Sequence, residues 1–109
     1  MSVLMEFAIF PTDKGESVSK YVAPVIKIIQ ESGYPYQFTP MGTIVEVEEI
    51  EEATQLLNRA YRVLEPEANR VYIVAKMDIR KRKKGRIIQK IKSVEEKLAQ
   101  LDKRGKEEG

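Results

Sequence analysis

The chain contains no cysteine and no histidine among its 109 residues. The missing cysteine excludes disulfides, thiolate zinc sites and cysteine nucleophiles. The missing histidine removes the commonest general base and the commonest metal ligand. The remaining carboxylates, amines and hydroxyls do not stand at the spacing of a recognisable nucleophile or metal cluster. We therefore expect neither a catalytic centre nor a metal site.

Long apolar runs are also missing. No stretch approaches the roughly 18 apolar residues of a membrane span. The N-terminal segment Met1–Glu6 lacks the basic residues and long apolar run of a signal peptide. Hydrophobic residues make up 42% and charged residues 33%, an ordinary globular balance. We expect one soluble, cytoplasmic domain over residues 1–101, followed by a charged flexible tail over residues 102–109.

Excess charge of one sign is confined to a single segment. The net charge is +2, yet six basic residues lie between Arg80 and Arg86, so the rest of the chain is mildly acidic. A local basic run on an acidic body is not the profile of a protein that coats nucleic acid. The run Lys81–Lys84 is predicted to be a solvated loop.

The periodicity of apolar residues predicts four strands and three helices. Ser17 or Ser19 is predicted to cap the first helix, and Gly33 to end it in the left-handed conformation. The predicted strands cover residues 3–10, 34–39, 43–47 and 70–80. The first helix is predicted to follow one of these two caps and to end at Ser32-Gly33, and the other helices cover residues 48–64 and 86–101. This order predicts an α+β fold: a ferredoxin-like βαββαβ antiparallel sheet with two helices on one face plus a C-terminal helix. The first and fourth strands are expected to be central neighbours.

The predicted uncovered face of this sheet mixes apolar and ionisable residues. It carries Leu4, Glu6, Ala8, Phe10, Ile44, Glu46, Tyr72, Val74, Lys76 and Asp78. A solvated face would hold more polar residues, and a buried face would not hold unpaired charges. We therefore expect a sister subunit to cover this face, with Glu6 paired to Lys76 across strands and Glu46 left for a ligand.

The third predicted helix carries a narrow apolar stripe. Ile87, Ile91, Val94, Leu98 and Leu101 step by four, three, four and three residues. Such a stripe packs on a partner helix or on a sheet. Together with the sheet face it predicts a homodimer or a dimer of dimers.

Several segments of the sequence match a known family. They are Glu6–Pro11, Ser17–Ala23, Ser32-Gly33, Tyr36, Thr39–Glu46 and Lys76–Arg80. The Thr-Pro-Met-Gly-Thr-x-x-Glu run after Ser-Gly is the most specific of them. Over residues 2 to about 100 the chain resembles the thiamine-binding protein family, long treated as a family of unknown function.

The resemblance implies a ferredoxin-like fold, homo-oligomers built sheet against sheet, and binding of thiamine or its hydroxymethylpyrimidine moiety, with no known reaction and no required cofactor. The expected ligand-binding residues are Glu46, Thr43, Met41, Thr39, Tyr36, Phe10, Thr12 and Glu6. A carboxylate suits the amine of a pyrimidine, threonines offer hydroxyls, and aromatic or methionine side chains offer apolar surface. Each also has a structural interpretation: Glu46 as an ion-pair partner at an interface, Glu6 as the partner of Lys76, and Thr43 as a β-branched strand residue.

Two other functions stay open at the level of sequence. Ferredoxin-like domains can bind RNA on an open sheet, so an RNA-binding or regulatory module is an alternative. Against it, Glu6 and Glu46 on that face would repel phosphate. An enzyme that uses carboxylates alone is the third possibility, although nothing in the sequence supplies a nucleophile for it.

Overall fold

The structure is a computed structural model that describes residues 1–82 and 85–108, with side chains through Asp102. Its elements are β1 (Ser2–Pro11), α1 (Ser19–Ser32), β2 (Tyr36–Thr39), β3 (Gly42–Val47), α2 (Ile50–Leu64), β4 (Val71–Arg80) and α3 (Arg86–Glu108). The four strands form one antiparallel sheet in the order β2-β3-β1-β4. The predicted ferredoxin-like α+β fold is confirmed.

The core lies between α1, α2 and one face of the sheet. Alternate residues of β1 face the helices, because side chains of a strand alternate between its two faces. The buried apolar residues are Val3, Met5, Phe7, Ile9, Val25, Ile29, Val45, Val47, Ala53, Leu56, Ala60 and Leu64. The face opposite the helices, called here the open face, is the one that carries Glu6, Glu46 and Lys76.

Cross-strand register agrees with the pairing predicted for the open face. β1 pairs with β4 over its whole length, from Ser2 opposite Arg80 to Pro11 opposite Val71. Glu6 is opposite Lys76, and the lysine Nζ lies 3.1 Å from the carboxylate Oε1. The predicted cross-strand ion pair is confirmed. Both side chains remain substantially exposed, so the pair fixes geometry more than it stabilises the fold.

The prediction that β4 is a central strand is wrong. β4 neighbours β1 as expected, but it forms the edge of the sheet, and β1 and β3 are central. The crossover helix α2 packs on β1 and β3, which leaves β4 without a helical cover. Ile73 and Ile79 on the helix side are therefore 42% and 44% exposed. Apolar residues on both faces of a strand indicate burial on both sides, which this single chain does not supply.

The helices differ from the predicted ones at the cap of α1, at the end of α3 and at the start of α2, which begins at Ile50 and not at Glu48. The N-cap of α1 is Val18, with no side-chain hydrogen bond, so the cap predicted at Ser17 or Ser19 is wrong. Gly33 ends α1 at φ 79°, as predicted. α3 continues to Glu108 because lysine, arginine, glutamate and glutamine tolerate a solvated helix well. Flexibility over residues 102–109 stays a prediction, and Lys83, Lys84 and Gly109 lie outside the described residues.

None of the helices within the described ranges is both long and apolar enough to cross a membrane. α3 reaches 23 residues but is dominated by charged side chains.

Gly42 brings the β2–β3 hairpin close to β1. Its φ is 159°, and a Cβ built on it would lie 2.9 Å from the Phe7 carbonyl oxygen. Real Cβ atoms essentially never approach an oxygen so closely. The Phe7 carbonyl oxygen and carbon belong to the backbone of β1, so they cannot rotate away as a side chain could. The close approach therefore requires glycine at this position.

Gly42→Ala is expected to lower the free energy of unfolding by about 2–3 kcal/mol, through strain and displacement of the hairpin. Gly33→Ala is the matched comparison: its φ is also positive, but nothing lies within 4 Å of the added Cβ. It is expected to lose only about 1 kcal/mol. Urea unfolding of both variants at one protein concentration tests this, and equal losses would contradict the close approach.

Candidate functional site

The turn between β2 and β3 is closed by the side chain of Thr39. Its hydroxyl donates a hydrogen bond to the Gly42 carbonyl at 2.8 Å and accepts one from the Met41 backbone N–H at 3.2 Å. A threonine hydroxyl that bonds local backbone is a common turn device. Met41 is left at the tip of the turn with 87% of its surface exposed.

A cavity opens where this hairpin stops short of the end of β1. The last pair between β3 and β1 is Thr43 with Phe7, whereas β1 continues to Pro11. Residues 8–10 therefore have no strand beside them on that edge, within the part of the chain that the structure describes. The space is about 320 Å³ and is closed on its other side by α1. We call it the hairpin cavity.

The hairpin cavity has apolar walls and few polar groups. Its lining comprises residues 7–10 of β1, residues 38–43 of the hairpin, and Val18, Val22, Val25 and Ile26. The side-chain polar groups among these are the hydroxyls of Thr39 and Thr43. The Thr43 hydroxyl donates to no protein group among the described hydrogen bonds, although the residue is only 4% exposed. The lining residues include no ionisable side chain.

The structure brings four of the eight predicted ligand residues together at this cavity. They are Phe10, Thr39, Met41 and Thr43. The ring of Phe10 also packs against Tyr72, with centroids 5.7 Å apart. Ligand binding by these four residues stays a prediction. The ligand was expected on the uncovered face of the sheet, whereas Thr43, which pairs with Phe7, lies on the helix side.

The other four predicted residues lie elsewhere. Glu6 is on the open face with Lys76, and Tyr36 is on the edge strand β2, 40% exposed. Thr12 follows β1, and its backbone N–H bonds the Arg70 carbonyl at 2.9 Å. Glu46 lies near the opposite end of β1 from the hairpin cavity, at the start of α3. Ligand contact by any of the eight predicted residues stays a prediction.

Glu46 has partners within its own chain. It is 7% exposed, and its Oε2 accepts a 2.7 Å hydrogen bond from the Ser2 hydroxyl. Its Oε1 accepts a longer bond, 3.4 Å, from the Ile87 backbone N–H at the beginning of α3. A carboxylate at a helix N-terminus is stabilised by the helix dipole. The carboxylate expected to be left for a ligand therefore anchors α3 in this structure.

Arg86 completes this group and was missed by the sequence analysis. Its side chain is 2% exposed. Its Nε donates to the Ser2 hydroxyl at 3.0 Å, and its Nη1 donates to Asp78 Oδ2 at 2.9 Å. Its Nη2 donates to the carbonyls of Ser2 and Asp78. We call Ser2, Glu46, Asp78 and Arg86 the arginine cluster. The sequence offered one signal for Arg86: it is a basic residue in the first turn of a helix, where the helix dipole disfavours a cation.

The arginine cluster keeps its two carboxyls ionised. Burial acts to raise the pKa of Glu46, but hydrogen bonds from Ser2 and from the Arg86 and Ile87 N–H groups, with the Arg86 charge, hold it below its usual value. The pKa of Asp78 is lowered by its hydrogen bond from Lys90, with Arg86 contributing charge and a hydrogen bond. The cluster is therefore fully formed at neutral pH.

Two further cavities border these charged groups. One, about 370 Å³, lies on the open face among Leu4, Ile44, the Glu6–Lys76 pair and Lys90. The other, about 330 Å³, lies beside Glu46 with Tyr34, Glu48 and Glu52.

The Tyr34 hydroxyl at the second cavity donates a hydrogen bond to the Glu52 carboxylate at 2.9 Å, and this hydrogen bond raises the pKa of Tyr34. Glu52 also accepts from the Glu49 N–H as part of the α2 capping box, so it has a structural role.

Residues 5–95 match the family model described as thiamine-binding protein. The chain belongs to this family. The chain is similar to the UPF0045 protein Mb1933 of Mycobacterium bovis, 34% identical over 98 residues, covering 90% of this chain and 96% of that protein. Among solved structures, protein MJ1052 of Methanocaldococcus jannaschii is 33% identical with a TM-score of 0.76, covering 87% and 97% of the two chains.

A more distant solved structure shares the fold of this thiamine-binding family member. It is a Thermotoga maritima protein, described as a proposed thiamine biosynthesis or salvage protein, with 24% identity and a TM-score of 0.66. It covers 73% of this chain and 85% of its own. At that identity the likeness shows the fold alone. The family and fold expected from the sequence are confirmed.

The lowered pKa of Glu46 predicts a pH dependence of stability. A carboxyl whose pKa is lower in the folded state stabilises the protein above its ordinary pKa, and this contribution is lost as the pH falls through the folded value. The stability difference between the wild-type protein and Glu46→Gln should therefore be larger at about pH 6 than at about pH 3. Urea unfolding followed by circular dichroism at both pH values measures it.

The same comparison carries its own control. Asp13 also has a lowered pKa, but its partner is the Asn69 backbone N–H and not the arginine cluster, so it titrates in both proteins and cancels in the difference. A difference that stays constant between the two pH values would contradict the role of the Glu46 charge.

Proposed function

We propose that the protein binds thiamine or its hydroxymethylpyrimidine moiety in the hairpin cavity, without catalysing a reaction. The observation that carries this proposal is an apolar cavity of about 320 Å³ edged by unpaired strand backbone, lying under the hairpin that holds the family's most specific segment. Cavities that bind small molecules begin at about this size and combine apolar walls with a few placed polar groups.

The chemistry of the cavity fits a flat heteroaromatic ring. Residues 8–10 of β1 pair with β4 on one side, but the backbone N–H and C=O groups directed to the other side lie beyond the last pair with β3. An aminopyrimidine carries donors and acceptors along its own edge, so it can bond this strand much as another strand would. The Thr43 hydroxyl adds a further donor or acceptor beside it.

The walls suit the faces of the same ring. Phe10 and Phe38 supply aromatic surface, and α1 contributes aliphatic side chains. Met41 lies at the rim, where its flexible thioether can pack over a bound ring. Burying a ring between such groups gives the affinity, whereas the polar edge gives the orientation.

The side chains that line the hairpin cavity favour binding over catalysis. Its lining residues provide hydroxyls and backbone groups but no carboxylate, amine, imidazole or thiol. A general acid or base would have to stand within hydrogen-bond reach of the reacting group. A binding role therefore fits the lining better than a catalytic one.

The proposal includes a homo-oligomer, either a dimer or a dimer of dimers, in which the open faces pack together. Tyr72 and Val74 on this face are 53% and 47% exposed, opposite half-buried Phe10 and Ala8 of β1. Contiguous apolar surface of this kind marks an interface. The Glu6–Lys76 pair would then be enclosed with both charges already paired.

Calorimetric titration with thiamine and with hydroxymethylpyrimidine tests the ligand and its site together. The wild-type protein should give saturable heat with at least one compound. Thr43→Val keeps the side-chain shape and removes the hydroxyl, so it should weaken binding about three- to tenfold, the value of one hydrogen bond. Thr54→Val, on the exposed surface of α2, is the matched control and should bind as the wild type does.

Three outcomes would contradict parts of this proposal. No saturable heat with either compound would remove the ligand. Unchanged affinity in Thr43→Val would remove the hairpin cavity as the site. A loss found in Glu46→Gln but not in Thr43→Val would instead place the ligand beside Glu46, as the sequence analysis expected.

A further inference from the structure

α3 extends from the domain with its apolar stripe uncovered. Only its first turns, through Arg86 and Lys90, hydrogen-bond the sheet. Beyond them Ile91, Val94, Leu98 and Leu101 are between 44% and 59% exposed. Four aligned apolar side chains on a helix of 23 residues are costly to leave in water. Nothing among the described residues packs on them.

The stripe has the spacing of a coiled coil. With steps of four and three, Ile91 and Leu98 take the a positions, and Ile87, Val94 and Leu101 take the d positions of a heptad abcdefg. The flanking g positions are then Lys90 and Lys97. The e positions beside Val94 and Leu101 are Glu95 and Asp102. The two lysines at g therefore lie on one side of the stripe, and the two acidic residues at e lie on the other side.

This segregation distinguishes the two possible orientations of a helix pair. In a parallel pair each g residue faces the e residue five positions further along the partner helix. Lys90 would then face Glu95, and Lys97 would face Asp102. In an antiparallel pair g faces g and e faces e, so lysine would meet lysine and acid would meet acid. Only the parallel arrangement pairs opposite charges on both sides.

We infer that α3 forms a parallel two-stranded coiled coil with α3 of a second copy of this chain. The stripe is too short to hold two helices together alone, because isolated coiled coils need three or more heptads. The arginine cluster compensates by fixing the first turn of α3 to a folded domain, which lowers the entropy lost on pairing. This interface does not depend on the ligand.

A single introduced cysteine tests the orientation, because the natural chain contains none. Leu101→Cys stands at a d position, where the two Cβ atoms of a parallel pair approach closely enough for a disulfide. Gln100→Cys stands at the neighbouring c position and points away from the partner helix. Under mild oxidation at micromolar protein, Leu101→Cys should give at least about tenfold more disulfide-linked dimer than Gln100→Cys. Leu101 is already 59% exposed, so its replacement spares the folded domain.

Charge reversal in the Leu101→Cys background tests the pairing of charges. Lys97→Glu would place acid opposite Asp102, so the yield of linked dimer should fall several-fold at low salt. Adding Asp102→Lys should restore it, because the reversed pair is again complementary.

Two results would overturn the inference. Equal yields from Leu101→Cys and Gln100→Cys would mean random collision. The same result is expected of an antiparallel pair, in which the two residues 101 lie about 21 Å from each other and cannot form a disulfide. A yield from Leu101→Cys that is unchanged by Lys97→Glu would contradict the pairing of Lys97 with Asp102.

Discussion

The buried guanidinium of Arg86 is the interaction on which the arrangement of the molecule depends. It joins the first residue of β1, the end of β4 and the beginning of α3, and its charge lies beside Glu46 of β3. A buried charge is tolerated only when its hydrogen-bonding groups are satisfied, and all three nitrogens of Arg86 donate here. The cluster therefore specifies where α3 starts and in which direction it leaves the sheet.

The arginine cluster makes the two ends of the sheet different: one end holds α3, and the other end borders the hairpin cavity. Thr43 and Glu46 are three residues apart on one strand, so their side chains lie on opposite faces. They cannot share one small ligand within a single chain. The end near Glu46 is occupied by the anchoring of α3, whereas the hairpin end keeps a cavity with unpaired backbone. The proposed ligand site and the proposed interfaces on the open face and on α3 therefore use different surfaces.

The elements that could be predicted from the sequence are those with local signals. Alternation in β1, the left-handed Gly33 and the Glu6–Lys76 pair all follow from spacing within or between adjacent strands. Arg86 could not be predicted, because its partners Ser2 and Asp78 are brought to it only by the fold. β4 was misplaced for a related reason: a strand that is apolar on both faces has the same pattern whether its cover is a helix or another copy. Within the site, Thr39, Met41, Thr43 and Phe10 were identified by chemistry and by family resemblance. Periodicity could not show that the hairpin ends before β1 does, and this difference in length forms the cavity.

The separation of the two ends is the central claim, and amide chemical shifts test it most directly. Hydroxymethylpyrimidine is added to ¹⁵N-labelled wild-type protein, and the amide signals of both ends are followed in one titration. The account predicts that shifts concentrate on residues 7–10 and 38–43, with the amides of Ser2, Glu46 and Ile87 nearly unmoved. The largest shifts at those three amides, with the hairpin unchanged, would contradict it.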